Sequence, residues 1–409
     1  MLRWIIFIIF YLVLGVYTLQ ALKTASRFPW VHYLFMAVCL LVLGNFIYQF
    51  TWGEVEGRVL SRPKSYAFGF LIAVLTFQLI VLVFLFSEDI FRFLSAVYHR
   101  FFGGSKEFGL PERRRFLSLL ALGIAALPFG ALLYGMYRGK YNYQVLKYEL
   151  EFDDLPDAFD GYQITQISDV HSGSFDNREK VAYAIDLVNR QKSDVIFFTG
   201  DMVNNKAEEM GPWKEVFAQL EAKDGKYSIL GNHDYGDYVS WDTEELKKEN
   251  LEALKALQKE IGFTLLLNES TYLKKGGDKI ALIGVENWGR GGFKKAGDLN
   301  KAIAAIVEND FKILLSHDPS HWEDVVIHHP YHYHLTLSGH THGMQFGIEI
   351  PGWVKWSPVK WRYKYWAGIY KEMGQYINVN RGFGFIGYPG RVGIWPEISV
   401  ITLRQRSLT

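Results

Sequence analysis

The sequence has 409 residues, with 44 Lys and Arg against 43 Asp and Glu and a formal net charge of +1. This length permits two or three domains with a large core, and the 16% of aromatic residues excludes a disordered chain. The balanced charge argues against a dedicated nucleic-acid binder, so no nucleic-acid partner is expected.

The first 140 residues form a basic, apolar region, with 14 Lys and Arg against 6 Asp and Glu. Four stretches in it lack Asp, Glu, Lys and Arg: 4–22, 28–53, 65–87 and 116–137. Each is close to the roughly 20 apolar residues with which a helix crosses a hydrocarbon core. A cleaved signal peptide would account for the first stretch alone. We therefore predict a transmembrane helical anchor of four spans over residues 1–138.

Basic residues before the fourth stretch indicate the orientation of this anchor. Residues 88–115 contain Arg92, Arg100, Lys106, Arg113, Arg114 and Arg115. Because Lys and Arg favour the cytoplasmic side, the fourth helix would carry everything after Arg138 to the other side. The segment 113–117, RRRFL, also resembles a twin-arginine export signal, although a simple anchor can have the same pattern. Both interpretations predict a multi-pass protein of the cytoplasmic (inner) membrane with its C-terminal domain on the non-cytoplasmic side.

The rest of the chain alternates between strand-like and helix-like patterns. Residues 139–160 are predicted to form a linker and a first strand, and residues 161–409 a separate domain. In that domain short apolar runs alternate with helical spacing at 178–192 and 243–261. The runs are 162–168, 194–199, 226–230, 279–285, 311–316, 334–338 and 376–379. This alternation predicts an α/β domain with packed sheets.

Five of these runs are followed by Asp, Asn or His, either directly or after one glycine. The blocks are Asp169-Val170-His171, Gly200-Asp201, Gly231-Asn232-His233-Asp234, His317, and Gly339-His340-Thr341-His342-Gly343. Ligands of α/β sheets bind beyond the carboxyl ends of the strands, so we expect these side chains to gather at one site. Oxygen and nitrogen ligands without a thiolate suit Mn, Fe, Zn, Ni or Co. The seven strongest ligands are enough for two divalent ions that share one carboxylate.

In this order the blocks resemble those of the calcineurin-like metallophosphoesterases, and the apolar N-terminal helices resemble the transmembrane branch of that family. The resemblance implies two mixed β-sheets sandwiched between helices, with a dinuclear metal site. By position, the ligands of the first ion would be Asp169, His171 and His342, and those of the second Asn232, His317 and His340. Asp201 would bridge the ions. His233 would protonate the leaving oxygen or stabilise the transferred phosphoryl group, and Asp234 would orient His233 through a hydrogen bond.

Together these features predict a membrane-anchored hydrolase that cleaves a phosphoester or pyrophosphate bond. Its substrate would be a phosphorylated small molecule or a lipid of the cell envelope. Its other partner would be the lipid bilayer. The branch includes UDP-2,3-diacylglucosamine pyrophosphatases of lipid A biosynthesis, an alternative that requires a cytoplasmic domain. A non-catalytic membrane sensor or scaffold is an alternative of another class. The sequence indicates no oligomeric state.

A segment rich in tryptophan follows the last block. Residues 346–370 contain Trp353, Trp356, Trp361 and Trp366, with Lys or Arg between them. This composition is typical of the headgroup region of a membrane, and it predicts that the segment lies on the bilayer or binds a lipid substrate. A buried flap over the site would account for the same composition.

Overall fold

The computed structural model describes residues 2–52, 57, 59–102, 111–350 and 352–406. Gly53, Lys106 and Pro351, which fall in segments discussed above, lie outside these residues. The chain divides into two compact units, one of residues 1–55 and 63–137 and the other of residues 56–62 and 138–409.

The first unit is built from long apolar helices. They are α1 (Leu2–Ala25), α2 (Pro29–Thr51), α3 (Arg62–Phe102) and α4 (Pro111–Tyr137). In the described part of the chain, these four helices have the length and hydropathy needed to cross a membrane. Helix α3 continues well past the predicted third span, and its Glu88 forms an ion pair with Arg114 of α4 at 3.3 Å. The prediction of four apolar N-terminal helices is confirmed.

The second unit contains two mixed sheets of six strands each. The first sheet has, in spatial order, β1 (Gln144–Phe152), β14 (Glu397–Gln405), β2 (Gln163–Ile167), β3 (Val195–Phe198), β4 (Lys226–Ser228) and β5 (Phe263–Leu265). The second has β12 (Gly368–Glu372), β13 (Gln375–Val379), β9 (Leu335–Ser338), β8 (Lys312–Leu315), β7 (Asp278–Gly284) and β6 (Glu269–Lys275). Strands β10 (Ile348–Ile350) and β11 (Val354–Trp356) form an antiparallel pair of their own.

The two sheets pack face to face, with helices on their outer faces. Ile164 and Phe197 of the first sheet and Ile313 and Leu335 of the second lie in one buried cluster. Helices α5 (Arg178–Asn189), α6 (Lys214–Phe217) and α7 (Glu244–Ile261) pack on the first sheet. Helices α8 (Leu299–Ala302) and α9 (Pro319–Asp324) pack on the second. The prediction of an α/β domain with two mixed sheets between helices is confirmed.

Strand direction brings the polar blocks to one end of this sandwich. Strands β2, β3 and β4 are parallel to one another, and so are β7, β8 and β9. The five blocks follow β2, β3, β4, β8 and β9. The two sheets meet at this end, because Gln166 Nε2 on β2 donates a hydrogen bond to the carbonyl oxygen of Ser338 on β9 at 2.8 Å.

Candidate metal centre

The side chains of the five blocks converge around Asp201. Its Oδ2 atom lies 3.1 Å from His317 Nε2 and 3.6 Å from His171 Nε2. On the side of His171, His342 Nε2 lies 3.0 Å from His171 Nε2 and 3.2 Å from Asp169 Oδ1. Asp201 is therefore the carboxylate at which the two predicted ligand sets meet.

Three groups of ligand atoms each lie within 4.8 Å of one another. They are Asp169, His171 and His342; His171, Asp201 and His233; and Asp201, His317 and His340. The predicted ligand Asn232 is buried beside them, and its Nδ2 donates a hydrogen bond to Tyr238 Oη at 2.8 Å.

An unpaired acceptor indicates that the site suits cations. Asn232 Oδ1 is buried without a hydrogen-bond partner among the described residues. Burying a polar atom without a partner is costly, and a bound cation would remove that cost for an oxygen acceptor such as that of Asn232. The Nε2 atoms of His171 and His342 lie 3.0 Å apart, close enough to bind one ion together. These residues therefore fit a pair of divalent ions.

Electrostatics keep the acids charged and several of the imidazoles neutral. Burial would raise the pKa of Asp169 and Asp201, but the neighbouring His342 and His317 lower both pKa values below the usual range. Burial also lowers the pKa of His171 and His233, whereas at His317 the Asp201 carboxylate outweighs burial and raises the pKa to about 10. Ionised carboxylates and neutral imidazoles are the forms that bind metal ions, so a bound ion would displace a proton at His317.

The backbone of the blocks is strained. Five predicted ligands have left-handed backbone conformations with φ between 46° and 70°: Asp169, His171, Asp201, His340 and His342. This conformation costs about 1 kcal/mol or more for a residue other than glycine, and such strain is concentrated at functional sites. The tight turns allow side chains that are close in sequence, such as His340 and His342, to belong to different ligand groups.

The prediction of a hydrogen bond between Asp234 and His233 is wrong. The Asp234 carboxylate instead accepts hydrogen bonds from the backbone amides of Asp201, Met202 and Gly231 at 2.8 to 2.9 Å. His233 Nδ1 lies 2.7 Å from the carbonyl oxygen of Asn204. The amides of the turn after β3 have no strand partner, and Asp234 supplies their acceptors. Asp234 therefore supports the Asp201 turn.

Three further residues of the site were not predicted as site residues. Tyr238 lies beside His233 with ring centroids 4.4 Å apart. Tyr363 Oη lies 2.9 Å from His340 Nε2, and Asp318 Oδ2 lies 3.4 Å from the same nitrogen. The position of Asp318 directly after His317 was an available signal. Tyr238 comes from a loop with no recognisable motif, and Tyr363 comes from the Trp-rich segment, in which no residue was assigned to the site.

The C-terminal segment holds the Asp169 turn in place. The amide of Gly384 donates to the carbonyl oxygen of Asp169 at 2.8 Å. The buried Arg391 in turn donates to the carbonyl oxygens of Gly382 and Gly384, with its Nε 2.9 Å from the latter. Arg391 thus stabilises the metal centre through the backbone.

Comparisons with known proteins agree with this architecture. Residues 2–140 match the family described as "Probable Calcineurin-like phosphoesterase, transmembrane domain", and residues 162–344 match "Calcineurin-like phosphoesterase". The chain is 30% identical over 300 residues to the uncharacterized metallophosphoesterase YkuE of Bacillus subtilis, covering 72% of this chain and 98% of that protein. It is 27% identical over 295 residues to a transmembrane protein with metallophosphoesterase domain of Danio rerio, covering 70% and 63%. An uncharacterized metallophosphoesterase of Aquifex aeolicus is 27% identical over 282 residues, covering 68% and 99%.

Proposed function

This chain belongs to the calcineurin-like phosphoesterases that carry a transmembrane domain, and we propose that it hydrolyses a phosphoester or pyrophosphate bond with two divalent ions. The proposal rests on the observation that two groups of ligand atoms share Asp201. We assign the first ion to Asp169, His171 and His342, the second to Asn232, His317 and His340, and the bridging role to Asp201. The donor set suits Mn, Fe, Zn, Ni or Co.

Two such ions, when bound, lower the pKa of water and neutralise the charge of a phosphate group. The protein itself contributes the proton donor His233. Its Nδ1 faces the Asn204 carbonyl oxygen at 2.7 Å, which leaves Nε2 free to exchange a proton with the substrate. Burial lowers the pKa of His233, and the negative charge of an arriving phosphate would raise it again. His233 would therefore become protonated beside the substrate and donate to the leaving oxygen.

The anchor favours a substrate that itself resides in the membrane. A tethered site has a high effective concentration toward lipids of the same bilayer, so we propose a lipid or another cell-envelope metabolite as the substrate. If the domain is cytoplasmic, UDP-2,3-diacylglucosamine pyrophosphatase activity in lipid A biosynthesis becomes the leading alternative. A non-catalytic sensor or scaffold is less favoured, because His233 and all seven proposed ligand positions carry residues suited to the chemistry.

Hydrolysis of bis(p-nitrophenyl) phosphate by the detergent-solubilised full chain with Mn²⁺ tests the activity. Asp201→Asn should abolish metal-dependent hydrolysis, because a neutral amide is a poor bridge between two cations. His233→Ala should lower kcat with nearly unchanged metal content, measured by mass spectrometry. Asp186→Asn, which changes an exposed carboxylate paired with Arg190, is the matched control. Wild-type activity in both site variants would overturn the assignment of these residues, whereas a wild-type chain without metal-dependent hydrolysis would favour the non-catalytic alternative.

We also propose that the second unit lies on the non-cytoplasmic side of the inner membrane, on the strength of the basic residues in 88–115. A chain with Cys39→Ala and Lys206→Cys carries one thiol, on a side chain that is 37% exposed. Labelling by a membrane-impermeant maleimide in intact cells is the expected result. Protection until lysis would place the site in the cytoplasm and favour the pyrophosphatase alternative.

A further inference from the structure

The Trp-rich segment has an exposed apolar surface. Trp353 is 80% exposed and Trp361 is 75% exposed, and neighbouring apolar side chains are exposed as well. We call this set the apolar rim; it comprises Met344, Ile348, Ile350, Trp353, Trp356 and Trp361. Large apolar side chains grouped on a surface mark a binding site.

The rim is continuous and held by ordered structure. Ile348 and Trp356 face each other across the β10–β11 pair, and the rings of Trp356 and Trp361 are 6.0 Å apart. Ser357 Oγ donates a hydrogen bond to the carbonyl oxygen of Gly343 at 2.7 Å. The same segment contains a buried part, with Trp366 in a core cluster. The segment therefore has a buried part around Trp366 and an exposed part, the apolar rim.

The rim adjoins the metal centre. Met344 follows the proposed ligand His342 by two residues. Tyr363, two residues after Trp361, contacts His340 Nε2 at 2.9 Å. A molecule bound at the rim would thus lie close to the ligands of both ions.

The charge of the segment complements an anionic surface. Residues 344–366 contain four Lys or Arg and a single acid, Glu349, which is paired with Arg381 at 2.5 Å. Lys360 and Arg362 are exposed, and neither forms an ion pair within the described ranges of the chain. The Arg362 guanidinium lies over the Phe293 ring at 5.2 Å, which leaves its charge without an acidic partner in the part of the chain that the structure describes. Exposed tryptophans beside such cations are the composition that binds anionic lipid headgroups.

The rim also lies near the start of the second unit. A Cβ atom on Gly139 would lie 2.4 Å from the carbonyl oxygen of Arg391, so the two backbones touch. The next residue, Val392, pairs with Phe346, and its carbonyl oxygen accepts from the Gly347 amide at 2.9 Å. Only a short stretch of structure therefore separates the rim from Gly139 within the second unit.

We propose that the apolar rim contacts the bilayer, with Trp353 and Trp361 in the interfacial region and Lys360 and Arg362 at anionic lipid phosphates. Aromatic side chains with one polar end favour that region. The surface presents the metal centre to phosphates at headgroup depth, so the substrate would be a phosphorylated amphiphile rather than a free nucleotide. This choice of substrate rests on the proposed function, whereas the bilayer contact does not.

The test measures the depth of a fluorophore in the reconstituted full chain. NBD is attached at Trp353→Cys or Trp361→Cys on a Cys39→Ala background, in vesicles of phosphatidylcholine and phosphatidylglycerol. We expect a blue-shifted emission and quenching by doxyl-labelled lipid several-fold stronger than at the control Glu252→Cys. Glu252 lies on α7 with a side chain that is 70% exposed. The double variant Lys360→Glu and Arg362→Glu should reduce the increase in quenching that is observed when phosphatidylglycerol is included in the vesicles.

Quenching at both rim positions no stronger than at Glu252→Cys would overturn the proposal. A blue shift without lipid quenching would also overturn it, because a second copy of the chain would then cover the rim. Metal content of each labelled protein verifies that the site is folded. Strong quenching in a protein that hydrolyses no phosphoester would retain the bilayer contact and reject the proposed function, so the two failures are distinguishable.

Discussion

The Asp234 carboxylate accepts a hydrogen bond from the backbone amide of Asp201 at 2.9 Å, and Asp201 Oδ1 accepts one from the amide of His233 at 2.8 Å. The turns after β3 and β4 therefore support each other through one acid from each. Asp201 is placed between the two ligand groups by this exchange. Its position depends on Asp234 as much as on its own turn.

Asp234→Asn should therefore weaken the metal centre without removing a ligand. An asparagine keeps one acceptor oxygen and turns its NH₂ group either toward the Met202 amide, which donates to Oδ1, or toward the Asp201 and Gly231 amides, which donate to Oδ2. We expect a loss of about 2 kcal/mol in unfolding free energy, and lower metal content. Thermal unfolding and metal analysis of the solubilised protein measure both. The exposed Asp186→Asn should change neither, and wild-type values for Asp234→Asn would show that the carboxylate does not support the turn.

Gly339→Ala should disrupt the Asp169 side of the site. A Cβ atom at position 339 would lie 2.0 Å from Ser168 Oγ and 2.2 Å from Asp169 Oδ2. The carboxylate would have to move, so we expect at least a tenfold loss of kcat/KM, equivalent to about 1.4 kcal/mol, and loss of metal. Gly292→Ala is the matched control, because a Cβ atom there meets nothing within 4 Å. Equal activity of the two variants would contradict the close approach of the β9 turn to Asp169.

Local patterns predicted the central strands and did not predict β14, whose place depends on distant partners. The apolar runs that became β3, β8 and β9 are buried on both faces, which gives a strong local signal. Strand β14 lies between β1 and β2, parallel to one and antiparallel to the other. Its partners lie more than 200 residues away in the sequence, and no local feature of residues 397–405 specifies that register.

The features of the site were likewise predictable only in part. The ligand types were predictable because each follows a strand at a tight turn, and the glycines beside Asp201 and His340 permit such turns. The hydrogen-bond partners of side chains that are adjacent in sequence were not predictable. His233 and Asp234 are neighbours in sequence, but one faces the Asn204 carbonyl oxygen and the other the turn of Asp201. Only the three-dimensional turn determines which atoms meet.

Tyr238→Phe should reduce occupancy of the second ion more than that of the first. The Tyr238 hydroxyl accepts the hydrogen bond of Asn232 Nδ2 at 2.8 Å, which fixes the amide with Oδ1 toward the site. Without this acceptor the amide can rotate, so we expect Mn²⁺ affinity at one of two sites to fall about tenfold. Calorimetric titration of the metal-free protein resolves the sites, and Tyr183→Phe, at an exposed tyrosine, is the control. An equal fall at both sites would contradict the assignment of Asn232 to one ion.

His334 should make the second unit sensitive to acid. Its Nδ1 accepts from the Lys312 amide at 2.9 Å, and its Nε2 lies 2.7 Å from Asp154 Oδ2. Burial outweighs the attraction of Asp154 and lowers the pKa of His334 from 6.5 to about 4. The unfolded chain therefore binds the proton more readily than the folded chain in this range. The stability contributed by the neutral imidazole is complete above pH 6.5 and is lost as the pH falls toward 4.

The resulting loss is about 3 kcal/mol over this range. His334→Asn keeps an acceptor for the Lys312 amide and cannot titrate, so its Tm should be lower at neutral pH but should fall less steeply with acid. Scanning fluorimetry of the solubilised protein across this pH range measures the slope, with the exposed His328→Asn as the control. Parallel curves for wild type and His334→Asn would mean that the folded protein accepts the proton as readily as the unfolded chain. Asp154 would then outweigh burial, and the acid sensitivity would have to come from other groups.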